Sequence, residues 1–328
     1  MRAILRGGAA ALFLCAFASI AVAQGGAANS GALDLLLPIG ARGTALNGAM
    51  VAETGGEAIW WNPAGLARTT RAEFGIDHFS TFLVDGNALS LLLTAGPVGT
   101  FGLSYRLFNF GETPVTSGTG EEIGTSSLES RTLGGSFATT FGDRLAGGIS
   151  FRLYQISNPC TGSCGNVVAG SSNDATVDAG IQYRSSPNGI LTIGAMVANM
   201  GPKLQIHDQP QADPLPTRLH VGLSVTPSSP NGDPALRLRF SAEYVAGPSL
   251  TANQEFRLGG EVGYKSGVTT VYARGGLVTL SYESVQAGPT IGFGLQNQRV
   301  QLDVARVWEH FSTDLGKPPT YISVRVGL

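Results

Sequence analysis

Four histidines stand where acid–base chemistry could be arranged: His78 follows Asp77, His207 precedes Asp208, His310 follows Glu309, and His220 shares a strand-like stretch with Ser224. A Ser/His hydrolase needs its nucleophile, base and orienting acid to converge with oxyanion donors. Nothing in the spacing of these residues brings such a set together. No phosphate-binding loop, dinucleotide fingerprint or zinc-ligand spacing falls in a fitting context. The sequence therefore predicts no catalytic residues, no cofactor-binding residues and no metal ligands, and a lipid-modifying enzyme that depends on His220 is a remote expectation. Cys160 and Cys164 lie in the loop-like stretch NPCTGSCG with no His beside them to complete a tetrahedral metal site. In an exported chain they form a possible disulfide that pins a loop and constrains little else.

Export is expected from the first residues. Arg2 and Arg6 precede an apolar run over 9–22, and the small residues Ala21 and Ala23 follow, which is the pattern of a signal peptide over 1–23. The competing reading, a membrane anchor, fails on length, because a spanning helix needs roughly 20 apolar residues. Cys15 would leave with the signal. Charged residues make up 13% of the chain, lysine occurs only at Lys203, Lys265 and Lys317, and the net charge of −2 becomes −4 when Arg2 and Arg6 are removed. That balance excludes a nucleic-acid partner. No later stretch is a continuous apolar helix of spanning length, so membrane insertion must be through strands.

From residue 72 onward, apolar side chains recur at every second position. In 236–244 the residues Leu236, Leu238, Phe240, Ala242 and Tyr244 alternate with Arg237, Arg239, Ser241 and Glu243, a sorting that only a strand achieves. Fourteen such segments are expected, near 72–79, 87–95, 99–109, 129–141, 145–157, 175–184, 190–199, 217–226, 236–245, 255–265, 268–277, 288–296, 300–308 and 320–328. Lengths of about nine to eleven residues, an even strand count, and short turns alternating with long loops fit a transmembrane antiparallel β-barrel. The fold class is all-β. Strand phase points both signs of charge into the lumen: Arg106, Arg152, Arg218, Arg237, Arg239, Arg257 and Arg325, with Asp178, Glu243, Glu255 and Glu261. These either pair and fill space or stand solvated. Three strands fit less well, among them the twelfth, whose approach the pair Gly288-Pro289 interrupts. The run Leu89, Leu91, Leu92, Leu93 is almost continuously apolar, and Arg306 falls where lipid is expected, which calls for a bulge before Val307.

The stretch over 38–67 matches none of these strands. Its residues LPIGARGTALNGA (37–49) and AIWWNPAGLA (58–67) resemble the PorV/PorQ family, within the FadL-like group of outer-membrane proteins. The resemblance implies a fourteen-stranded barrel over 71–328 with an N-terminal hatch or plug over 24–70 in its lumen. It assigns the hatch motif to Pro38, Gly40, Ala41, Arg42, Gly48, Trp60, Trp61, Asn62, Pro63 and Ala64. The main function implied is a non-enzymatic, plugged scaffold that assists type IX-like protein secretion or surface attachment, partnered by translocon components and exported cargo. The alternative is a FadL-like transporter of hydrophobic small molecules. Both place the protein among the lipids of the outer membrane of a Gram-negative-type bacterium. The mixed lumen charge favours a permanent seal. The chain ends Val326-Gly327-Leu328, where many outer-membrane strands end in an aromatic residue.

Overall fold

Fourteen strands pair antiparallel and close on themselves in the computed structural model, which describes residues 30–81, 83–164, 170–186, 190–205, 212–229, 232–247, 254–279, 288–308 and 318–328. The expected signal peptide over 1–23, His207 and His310 lie outside the described residues. The barrel strands are β1 (Glu73–Ser80), β2 (Asp85–Thr94), β3 (Thr100–Thr116), β4 (Glu122–Phe141) and β5 (Leu145–Asn158). They continue with β6 (Gly170–Arg184), β7 (Leu191–Met200), β8 (Arg218–Val225), β9 (Leu236–Ala246) and β10 (Glu255–Ser266). The last four are β11 (Thr269–Thr279), β12 (Thr290–Asn297), β13 (Val300–Val307) and β14 (Thr320–Gly327). The barrel is sealed by β14 against β1, in register from Glu73 with Gly327 to Ser80 with Thr320.

Residue alternation becomes two chemically different walls. Phe101, Leu103, Ile149, Phe151, Ile193, Phe240 and Phe293 stand exposed on the outward face. Ser90, Ser150, Thr176, Asp178, Gln182, Ser224 and Glu243 are buried on the inward face. Apolar outside and polar inside is the arrangement of a barrel solvated by lipid. Short turns, such as Gly96–Val98, lie at the end that carries Leu328, whose N–H donates to Ala72 O at 2.8 Å. This end is called inner, and the opposite end, with the long connections, outer.

Two expectations are corrected. The stretch over 111–128 is not a plain loop: β3 runs 17 residues and β4 runs 20, beyond the about nine to eleven that cross a membrane. The excess forms a hairpin past the outer rim, with a register shift between Asn109 and Glu112 where Gly111 takes φ of 78°. Its side chains are mostly polar, with Val115 and Ile123 isolated among them, so no two-residue period betrays it. Cys160–Gly162 adds a short strand to β4 beside this hairpin, and Cys160 is joined to Cys164. The bulge expected in β13 is absent, since its pairing with β12 runs unbroken from Val300 to Val307. Arg306 faces outward opposite Thr320, at the outer rim, where a long side chain can lift its charge to the headgroup level. Val307 is buried on the inward side with Phe79 and Tyr321.

An inward apolar patch also explains the run in β2. Leu92 packs inside against Ile59, Leu66 and Ala138, so this part of the inner wall is apolar because the N-terminal segment meets it there. Close approach continues along a track of inward glycines. A Cβ at Gly276 of β11 would stand 2.6 Å from Asn47 N, one at Gly259 of β10 would stand 2.9 Å from Leu46 O, and one at Gly194 of β7 would collide with Val51 O. Gly276→Leu is expected to push the segment off β11 at about 1–3 kcal/mol, the cost of overpacking. It would be read as a lowered unfolding midpoint and new protease cleavage near 45–50. Gly260→Leu, whose Cβ meets only the Phe240 ring at 3.8 Å, should change neither.

Candidate functional site in the lumen

Residues 38–68 contain three charged groups short of Arg68 itself: Arg42, Glu53 and Glu57. The segment makes only short turns, the helix Ala41–Ala45 and the 3-10 turns Gly56–Ile59 and Pro63–Arg68. Gly40 and Gly48, with φ of 89° and 75°, bend it into a compact path that L side chains would resist. Pro63 opens the last turn, and Asn62 caps it by accepting from Ala64 N at 3.0 Å. The Asn62 amide also donates to Val51 O at 2.6 Å, so the exit is tied back onto the segment's own middle.

The three charges lock onto the inward wall. Arg42 pairs with Glu53 at 2.5 Å and with Glu261 of β10 at 3.2 Å. Glu53 further accepts from Arg239 of β9 at 2.9 Å, Ser224 at 2.6 Å and Ser241 at 2.7 Å. Glu261 reaches Arg274 of β11 at 2.6 Å, and Arg274 reaches Asp303 of β13 at 2.6 Å. Glu57 accepts from the backbone N–H groups of Arg42 and Gly43 and faces Arg325 at 3.5 Å. Arg325 also holds Asp77, which accepts the Trp60 indole N–H at 2.9 Å. Glu243 of β9 accepts from both Met50 N and Val51 N, and its other oxygen meets His220 Nδ1 at 2.7 Å.

Two cavities flank this belt. The outer one has about 920 Å³ of empty space, open to solvent, between an apolar side that includes Leu37, Ile39, Val51, Trp60 and Met196 and a basic side formed by Arg106, Arg152, Arg218 and Arg257. Trp61 borders it, with its indole N–H buried against Gly43 and without an acceptor. The inner one, about 810 Å³, is lined by Arg42, Glu57, Arg237, Arg239, Glu261 and Arg325 among others. Arg237 is thus lumen-facing but exposed at the inner mouth, while Arg152 is buried against Asp178 and Arg257 pairs with Glu255 at 2.6 Å.

Residues over 38–64 that carry the expected motif are brought together here. Pro38 borders the outer cavity, Ala41 N donates to Ser323 Oγ at 2.7 Å, and Ala64 is fully buried. Sequence reasoning missed Glu53, Glu57, Asp77, Arg274 and Asp303. A signal was available, since Glu53 and Glu57 are the only acids over 38–67 and the other three stand in inward phase. Among the described residues no hydrolytic set forms: Ser224 is engaged by Glu53 and His220 by Glu243, while exposed His78 meets Asn87 at 3.0 Å. Among the described residues no group of His, Cys, Asp and Glu could hold a metal ion.

The sequence matches no protein-family model and no curated protein. Solved structures do match. The P. putida toluene transporter TodX aligns over 87% of this chain and 98% of its own, at 14% identity and a TM-score of 0.56. The CymD monoaromatic hydrocarbon channel aligns over 89% and 98%, at 13% and 0.58. A Pseudomonas aeruginosa FadL homologue aligns over 88% and 98%, at 11% and 0.52. The fold is that of a FadL-like barrel. These likenesses bear out the barrel fold expected of the wider group and give no support to the narrower PorV/PorQ placement.

Arg42→Leu leaves Glu53 and Glu261 short of a cation, and breaking a buried pair from one side costs about 3–5 kcal/mol. Trp60 and Trp61 are two of three tryptophans, so their fluorescence in a Trp308→Phe background would follow the loss of seating. A pH dependence follows from Glu57. Burial, against the pull of Arg325 and with Asp77 and Asp303 adding to it, pushes this carboxyl up to about 7. Seating is therefore favoured while Glu57 keeps its proton and weakens as pH rises through about 7. Burial opposes the charge on Glu53, but Arg239, Arg42 and the Ser224 and Ser241 hydroxyls outweigh it and hold this carboxyl at about 2, so its contribution persists across the same window. Tryptophan fluorescence between pH 5 and 8 should shift, and Glu57→Gln should flatten the curve.

Proposed function

We propose that the protein is a non-enzymatic outer-membrane channel that admits hydrophobic small molecules, with residues 24–70 as a hatch inside the barrel of 71–328 and 1–23 removed as an export signal. One observation supports the reading: the segment over 38–68 is joined to the inward wall by noncovalent polar contacts and has a cavity on each side. Polar locks of this kind exchange partners with water at modest net cost, so the hatch can shift without unfolding the wall. The outer cavity offers a solute an apolar side around Leu37, Ile39 and Trp60. The toluene transporter TodX and the CymD monoaromatic hydrocarbon channel, whose barrels resemble this one, favour the same solute class.

The density of charge pairing around Arg42 favours a second reading, the permanently sealed scaffold with translocon and cargo partners. Uptake separates the two. In a host strain lacking its own hydrocarbon channels, cells producing the protein should take up labelled toluene faster than vector controls, and Arg42→Leu should raise the rate further. Uptake at the control level for both proteins, with exported proteins co-purifying with the barrel, would replace the channel reading with the scaffold.

A further inference from the structure

Four side-chain atoms at the inner rim are shut away from solvent without a hydrogen-bond partner: Arg68 Nη1, Thr69 Oγ1, Arg184 Nε and Ser186 Oγ. The two guanidinium nitrogens can only donate, and both hydroxyls can donate as well. Arg68 and Arg184 meet at one point, the turn between β4 and β5, where Arg68 Nη2 and the backbone N–H of Arg184 both donate to Arg144 O, at 2.8 and 2.9 Å. Thr69 and Ser186 each lie within two residues of these arginines in the chain. The Arg144 side chain turns outward to Tyr183 OH at 3.4 Å. Among the described residues no carboxylate pairs with Arg68, Arg144 or Arg184, although exposed Asp143 lies in the same turn. Burial, and after it the charge of Arg184, lower the pKa of Arg68. Elsewhere in the lumen acids answer buried Arg42, Arg152, Arg274 and Arg325, while buried Arg106 donates to Thr132 Oγ1 at 3.0 Å.

A cluster of donors without acceptors is unfavourable by itself and is completed by an anion that presents several oxygens. Phosphate suits it, because the planar guanidinium fork matches its geometry. The surroundings indicate how phosphate would arrive. Phe141, Leu145 and Tyr183 stand exposed on the outward face around Arg144, so apolar chains could lie there while a headgroup reaches the arginines. We propose that the inner rim at Arg68, Arg144 and Arg184 binds a phosphate-type oxyanion, carried there as the headgroup of an anionic phospholipid of the inner leaflet. Arg68 is the last residue of the turn Pro63–Arg68, so the bound headgroup fastens the end of the lumenal segment to the rim. The inference is independent of which solute the barrel passes.

The full chain purified in detergent provides the test. Native mass spectrometry would compare retention of phosphatidylglycerol with that of an uncharged glycolipid without phosphate, and thermal unfolding would be followed with added inorganic phosphate. The wild type should retain phosphatidylglycerol selectively. Arg68→Gln with Arg184→Gln should lower retention at least about tenfold, the loss of one hydrogen bond to a charged group. Arg131→Gln, which removes the partner of Glu129 at 2.8 Å on the outer side, should leave retention unchanged. A midpoint raised by inorganic phosphate in the wild type and not in the double variant, with no selective lipid retention, would keep the oxyanion site and assign it to free phosphate. Equal retention in the wild type and a folded double variant, with no response to phosphate, would overturn the proposal. If the double variant does not fold, Arg68→Lys, which keeps the charge and loses the fork, should show the same fall, and unchanged retention there would overturn the proposal equally.

Discussion

Four arginines, Arg42, Arg239, Arg274 and Arg325, share one enclosed belt with six carboxylates, Glu53, Glu57, Glu73, Asp77, Glu261 and Asp303. The rest of the lumen is arranged around this imbalance. Buried charge is tolerated only when it is paired and hydrogen-bonded, so five of these acids are approached by more than one donor, while Glu73 faces Arg325 at 3.6 Å, and the excess of acids agrees with the raised carboxyl of Glu57. Only Arg42, Glu53 and Glu57 belong to the N-terminal segment. The wall strands supply the remainder, so neither part can satisfy its charges without the other.

The same arrangement separates two kinds of adhesion. Where the segment meets Leu92 and Ala138, or Phe79 and Val307, contact is apolar and dense. Along the Arg42 belt and at Glu243 it is polar, with backbone N–H groups of Met50 and Val51 closing on a carboxylate. Apolar contact sets the path of the segment through the barrel. Polar contact sets how firmly its centre is held, and it engages the segment's charged groups, Arg42, Glu53 and Glu57.

Much of the barrel was legible because membrane strands must sort their side chains by solvent. All fourteen strands stand close to their expected positions, and Arg152, Glu243, Glu261 and Arg325 face inward as their phase requires. Legibility failed where the solvent rule lapses. The outer extensions of β3 and β4 leave the membrane and alternate nothing, and Leu92 is apolar on the inner side because the chain itself covers it. Arg306 invited a bulge only because its nearness to the rim could not be judged from strand phase.

By itself the sequence determined the number of strands, the face each residue takes, and the Gly-rich, nearly uncharged character of the stretch over 38–67. These depend on periodicity and local backbone freedom, both properties of neighbours along the chain. Only the tertiary structure decided that Arg42 meets Glu261 across 219 positions, that Gly194, Gly259 and Gly276 clear a path for Val51, Leu46 and Asn47, and that Arg68 and Arg184 converge on Arg144. Each depends on barrel closure, which sets residues far apart in the chain side by side at separations that sequence phase does not encode.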